Sequence, residues 1–356
     1  MKKRSIIIAI AASLIIILIG CVSLFSYYKV NLSAVDVNNK EEIEFIIDSG
    51  STTSSIIKTL YSKGLIRNEI VLKIYAKLNP GVPKSGRYIL NKSMDAASIY
   101  KTIIDGKVKN ETIWITFVEG KRLDYIAKQI ADKTEYTEEE INTLLDDKTY
   151  IKELIDKYDI LTDEILKNGI YRPLEGYLFP DTYEFLKTAS AKDIIEKMIS
   201  TMSMKLSKYK NEIEASKYSI HELITLASVI ELEGAGSDDR QGIAGVFYNR
   251  LKSGWTLGSD VTTYYGVKKD FSKELTRSDL NSCNGYNTRG TCVRGLPIGP
   301  IASVGIESLE AAIKPTQHDY YYFVADKNRK TYFSKTESEH NRIIRELYAN
   351  GLWYTF

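Results

Sequence analysis

The chain has 356 residues, room for two or three domains, and its 44% hydrophobic and 26% charged residues make an ordinary globular composition that can fill a core. Its 48 Lys and Arg balance 46 Asp and Glu for a formal net charge of +2, so the basic surplus of a nucleic-acid binder is absent and no nucleic-acid partner is expected. The histidines His221, His318 and His340 share no metal-ligand spacing with each other or with a cysteine pair. Thr225 stands where the second His of a zinc-protease motif begun by His221-Glu222 would have to be, so neither a metal nor another cofactor is expected.

Residues 1–4 carry Lys2, Lys3 and Arg4 and read as a cytoplasmic stub. The uncharged run 5–28 is long enough to cross about 30 Å of hydrocarbon as a helix, and the positive cluster on its short side places everything after Lys29 outside the cell membrane, as a single-pass protein. No small-x-small cleavage pattern follows the run, and the lipobox-like Leu18-Ile19-Gly20-Cys21 is followed by more apolar residues, so a retained helix is the favoured reading over signal or lipoprotein processing. Residues 29–42 are polar and read as a tether.

From 43 to 110 the pattern is a small α+β domain. Ile43, Phe45 and Ile47 alternate as a strand, Ser51–Leu60 and Ile70–Leu78 have helical spacing with stops at Gly64 and at Asn79-Pro80-Gly81, and strand Gly86–Leu90 precedes helix Ala96–Ile104. Residues 111–356 read as a larger mixed α+β domain. It opens with the alternating strand Thr112–Phe117, followed by charged helices from Arg122 to about Asp159 and a rigid loop at 173–183. A long helix over Ala191–Met204 comes next, then a hairpin of Tyr320–Ala325 with Thr331–Phe333 and a final helix near Ser338–Tyr348. Cys283 and Cys292 lie in the exported part, where a disulfide and two free thiols are both open.

Ser219-Ile220-His221-Glu222 is a capping box that starts a helix running to Glu233. At about 100° per residue, Ile220, Leu223, Ile224, Ala227 and Ile230 share one face, and Glu231 falls on it while Glu233 falls on the opposite side. Burying a carboxylate is costly unless it is paired or protonated, which suits a general acid. A structural carboxylate satisfied by Arg240, Arg250 or backbone amides fits the same periodicity.

Six segments carry a family resemblance: Leu174–Tyr183, Ala227–Glu231, Val246–Leu251, Leu257–Gly266, Gly295–Ile301, and Tyr322–Asp326 with His340-Asn341. In that order they resemble the YceG-like endolytic murein transglycosylases (the MltG type). The resemblance implies an N-terminal transmembrane helix, a LysM-like domain over 43–110 and a catalytic domain over 111–356. It also implies cleavage of the MurNAc–GlcNAc bond within nascent glycan strands, beside peptidoglycan synthases at the membrane. The catalytic residue it implies is Glu231. Such an enzyme needs one carboxylate, because the muramic acid C6 hydroxyl is the nucleophile and closes a 1,6-anhydro ring. Glu175, as cleft wall or loop brace, and Asn249, Asp260, Tyr265, Tyr286 and Asn287 are candidates to bind sugar groups. The sequence departs from the family pattern at Val261, Arg289, Ile298 and Ser303-Val304, in one wall of the expected cleft. The alternative is a glycan-binding scaffold without catalysis.

Overall fold

The computed structural model describes residues 2–48, 50–106, 112–234, 236 and 239–353, with side chains from Ser13 onward. The chain divides into two compact units, Met1–Glu111 and Thr112–Phe356.

In the first unit, α1 (Lys2–Leu32) contains Ser13–Leu32, a segment of mean hydropathy 1.9 with none of its most apolar window buried, long and apolar enough to cross a membrane. The segment expected to be a free tether is partly fixed. Helix α1 continues to Leu32, which is buried in the unit's core, and Arg67 donates to the Ala34 carbonyl from Nε at 2.9 Å and Nη2 at 2.7 Å. Strand β1 (Ile43–Ile47) pairs antiparallel with β2 (Gly86–Leu90) and places Phe45 opposite Tyr88. Between them lie α2 (Thr53–Ser62) and α3 (Glu69–Leu78), and α4 (Ala96–Asp105) follows. Thr52, Asn68 and Asp95 cap the three helices through side-chain oxygens that accept first-turn N–H groups.

The second unit begins with β3 (Thr112–Thr116), which pairs antiparallel with β4 (Thr182–Leu186) and sets Ile115 opposite Tyr183. The end of the expected rigid loop is therefore strand: Tyr183 and Phe185 point inward and Thr182, Glu184 and Leu186 outward. Helices α5 (Leu123–Ala131), α6 (Glu138–Leu145) and α7 (Lys148–Lys157) connect the two strands. Beyond β4 come α8 (Ala191–Ser207), α9 (Lys210–Ala215) and α10 (Ile220–Glu233). Then follow α11 (Arg240–Lys252), α12 (Asp260–Gly266), α13 (Arg277–Leu280) and α14 (Ile306–Ile313). The hairpin β5 (Tyr322–Ala325) with β6 (Thr331–Ser334) and helix α15 (Glu337–Ala349) complete the unit.

Helix α10 is central, packed on α11, α12 and α14. Two glycines let neighbours approach closely. A Cβ on Gly245 of α11 would lie 2.3 Å from the Thr316 carbonyl oxygen, so only glycine lets that chain cross the helix. Gly176 has φ +81 and a Cβ there would lie 2.5 Å from Pro300 Cβ. Gly176→Ala is therefore expected to cost roughly 2 kcal/mol or more through backbone strain and overpacking, read as a lower midpoint in denaturant unfolding.

Candidate active site

Ser219 forms the expected capping box with Glu222 at the start of α10. The rest of the helix departs from the one-faced pattern. From Leu223 to Ile230 every residue is buried, Thr225 and Ser228 included, because other elements surround it. Periodicity therefore does not decide which terminal glutamate turns inward, and the two meet different surroundings.

The Glu231 side chain is only 5% exposed, and both of its oxygens are occupied. Oε1 accepts from Arg240 Nη2 at 3.1 Å and Oε2 from the Gly305 backbone N–H at 3.0 Å. Arg240 also reaches Glu307 at 3.0 Å and Ser308 Oγ at 2.9 Å. Glu119 rests its carboxyl against Gly305, and burial, then the charge of Glu231, push that carboxyl up.

Glu233, expected at the solvent face, instead lines a cavity of about 520 Å³ with Arg250, Trp255, Asp260, Arg289, Tyr322 and His340. A cavity of that size accommodates a small ligand or a few sugar units. Glu233 Oε1 accepts a hydrogen bond from Ser259 Oγ at 2.6 Å, and no cation among the described residues lies within ion-pair distance of it. Burial pushes its carboxyl above the ordinary range; the Ser259 hydrogen bond opposes this, Asp260 adds to it, and Arg289 and Arg250 act against it from longer range. A desolvated carboxyl facing an open cavity can hold a proton above the ordinary glutamate range and give it to a bound group.

The other candidate residues separate. Asp260 opens α12, lines the cavity and accepts from Arg289 Nε at 2.6 Å. Asn249 lies outside the cavity lining and is tied to backbone, its Nδ2 donating to the carbonyls of His318 at 2.8 Å and Tyr320 at 2.9 Å. Tyr265 and Tyr286 are buried core residues, so stacking on a sugar is ruled out for them. Their rings pack at 4.7 Å from each other, and the Tyr286 hydroxyl accepts from the Tyr171 N–H at 3.1 Å. Asn287 is fully buried and knots a loop: its Oδ1 accepts from Thr263 Oγ1, and its Nδ2 donates to the carbonyls of Leu280 and Ser282.

Glu175 is the loop brace, not a cleft wall. It is 2% exposed, accepts the Leu123 N–H at 3.0 Å and the Tyr265 hydroxyl at 3.1 Å, and burial pushes its carboxyl up to about 7. A folded carboxyl that holds its proton more tightly than the unfolded one stabilises the fold below about pH 4.5, and that contribution is lost as pH rises through about 7. Gln mimics the protonated form. Glu175→Gln is thus expected to gain stability over wild type by up to roughly 3 kcal/mol between those pH values, measured as the difference between the two proteins' unfolding midpoints across a pH series.

The residues that complete the cavity wall were named in the sequence without roles or not at all. Trp255 is 44% exposed, with its ring 5.1 Å from that of Tyr321 and 6.0 Å from that of Tyr322. His340 stacks on Tyr322 at 5.4 Å, and its buried Nδ1 has no hydrogen-bond partner among the described residues. Burial, then Arg250, lowers its imidazole below the ordinary range, so the ring is neutral near pH 7. Cys283 and Cys292 form a disulfide, with Cα atoms 5.5 Å apart, that closes the loop holding Asn287 and Arg289.

A carboxyl held above its ordinary range beside aromatic and polar walls is an arrangement that can do acid/base chemistry on a glycan. The profile of the YceG-like family matches residues 45–346, and the chain belongs to that family. It is 38% identical over 330 residues to the endolytic murein transglycosylase of Bacillus subtilis, covering 92% of this chain and 90% of that protein. It is 32% identical to the endolytic murein transglycosylase of Streptococcus pneumoniae, over 90% of this chain and 61% of that protein. A crystal structure of a YceG-like protein from Listeria monocytogenes superposes with a TM-score of 0.61 at 36% identity, over 85% of this chain and 99% of that one.

Proposed function

We propose that this chain is a membrane-anchored endolytic peptidoglycan lytic transglycosylase and that Glu233, in place of Glu231, is its acid/base. The observation that carries the catalytic assignment is the Glu233 carboxyl: desolvated, open to the cavity and without an ion pair among the described residues. Glu231 is tied to Arg240 and Gly305 and acts as a strut.

Protonated Glu233 gives its proton to the glycosidic oxygen between MurNAc and GlcNAc as that bond breaks. The resulting carboxylate then takes the proton of the muramic acid C6 hydroxyl as its oxygen closes on C1. The strand ends in a 1,6-anhydro ring, Glu233 regains its proton, and no water is consumed. Ser259 fixes the carboxyl's orientation, and the Asp260–Arg289 pair keeps the local charge balanced. The βααβ order of the first unit, with β1 antiparallel to β2, supports reading it as the family's LysM-like domain. The apolar α1, with Lys2, Lys3 and Arg4 at its start, supports a single membrane pass with the chain beyond it outside, beside the peptidoglycan synthases whose nascent strands it terminates.

Mass spectrometry of uncross-linked glycan digested by the full chain in detergent tests this reading. Internal cuts ending in anhydro-muramic acid are expected. Reducing ends without the anhydro ring would make the protein a hydrolase, and intact strands that still bind would make it a scaffold.

A further inference from the structure

We propose that Arg289, at the mouth of the Glu233 cavity, recognises a carboxylate carried by the muramic acid residues of the glycan, exchanging Asp260 for it. The inference rests on the transglycosylase reading and names the feature of the strand that this site reads.

The cavity holds two arginines, and they are not equivalent. Arg250 is committed to the fold. Its Nε donates to the Tyr321 carbonyl at 2.7 Å, its Nη1 donates to the Leu257 carbonyl, and its guanidinium lies 5.5 Å from the centre of the Tyr322 ring. Among the described residues the Arg289 side chain has a single hydrogen-bond partner, Asp260, bound through Nε, and the two side chains are 47% and 49% exposed. Its two Nη groups make no hydrogen bond to the described residues. An exposed pair of this kind contributes little to stability, so a ligand carboxylate can replace Asp260 at small cost and use the guanidinium's bidentate edge.

The backbone under Arg289 is held in place. Asn287 Oδ1 accepts the N–H groups of Arg289 at 3.0 Å and Gly290 at 3.2 Å, and the Cys283–Cys292 disulfide closes the same loop. A positioned cation loses less freedom on binding than a mobile one. Muramic acid differs from N-acetylglucosamine by a lactyl ether that ends in a carboxyl. On a peptide-free strand that carboxyl is ionised; on a peptide-bearing strand it is an amide, and the stem peptide supplies its own carboxylates. Either source presents the same chemistry to Arg289.

The test measures Kd for the full chain in detergent, carrying Glu233→Gln so that strands stay intact. Three ligands are compared: peptide-free strands, the same strands with methyl-esterified carboxyls, and peptide-bearing strands. Esterification is expected to weaken binding about tenfold. Adding Arg289→Gln should abolish that difference, while adding Asp260→Asn, which frees Arg289, should tighten binding of the ionised strands. A preference for peptide-free over esterified strands identifies the lactyl group, and tight binding confined to peptide-bearing strands identifies the stem peptide; both support the proposal. Equal Kd values for ionised and esterified strands, with peptide-bearing strands bound no more tightly, would overturn it. So would an Arg289→Gln loss that is the same on every ligand, the mark of a loop brace. Cleavage by the Glu233-containing protein, measured separately, decides the transglycosylase reading by itself.

Discussion

Glu233→Gln is expected to lower kcat for glycan cleavage about a thousandfold while the protein folds and binds strands as before. Gln keeps the size of the side chain and can still accept the Ser259 hydroxyl, which lies 2.6 Å from the glutamate oxygen, so the cavity wall stays in place. What is removed is the proton. The leaving glycosidic oxygen then departs unprotonated, and the C6 hydroxyl has no base to accept its proton. Because both steps use one carboxyl, the loss falls on kcat and leaves KM close to wild type. Steady-state cleavage of uncross-linked strands, with circular dichroism to verify folding, measures this. Glu231→Gln is the internal control: it retains an acceptor for the Gly305 N–H and leaves the cavity untouched, so a folded Glu231→Gln protein should keep most of its activity.

Glu231→Ala is expected to destabilise the second unit by about 3 kcal/mol, a fall in Tm on the order of 6–12 °C. Arg240 is 14% exposed and would lose its buried counter-charge, keeping only Glu307, which is 57% exposed, and Ser308. The Gly305 N–H would lose its acceptor as well. A buried cation left with only an exposed counter-charge and an unsatisfied donor cost more than the deleted contacts themselves, because neither fully regains water in the fold. Thermal unfolding of the full chain reads this directly, and an unchanged midpoint would mean that Arg240 relaxes fully onto Glu307.

These two glutamates also show where sequence reasoning stopped. The membrane-spanning pattern, the helices of the first unit and the hairpin of β5 with β6 were legible because charge blocks, helical spacing with its stop residues, turn residues and alternation are local signals. The start of α10 was legible from its capping box, which is equally local. Its inward face was not, since a helix surrounded by α11, α12 and α14 carries apolar residues all round, and no stripe marks its cavity side. The resemblance implies Glu231 as the acid/base; the fold ties that side chain to Arg240 and the Gly305 N–H and turns Glu233 to the cavity, which is why the proposal here moves the role two residues on.

Helix α11 carries Gly242 and Gly245, which weaken its helical signal and exist for close approach to Phe333 and to the chain at Thr316. Strand β4 was hidden by the proline- and aromatic-rich run before it. Tyr265, Tyr286 and Asn287 have side chains suited to sugar binding but are buried by packing that only the tertiary structure supplies. Conversely, Trp255, Arg289 and His340 meet at one cavity from segments far apart in the chain, a juxtaposition without a local signature.

The central claim is that Glu233 carries a proton under conditions where an ordinary glutamate has lost it. Isotope-edited infrared spectroscopy of the full chain with labelled glutamate, wild type minus Glu233→Gln across a pH series, observes that proton itself. A protonated-carboxyl band that persists above the ordinary glutamate range and is missing from the variant is the predicted result. A Glu233 signal already fully ionised at and below that range would contradict the account.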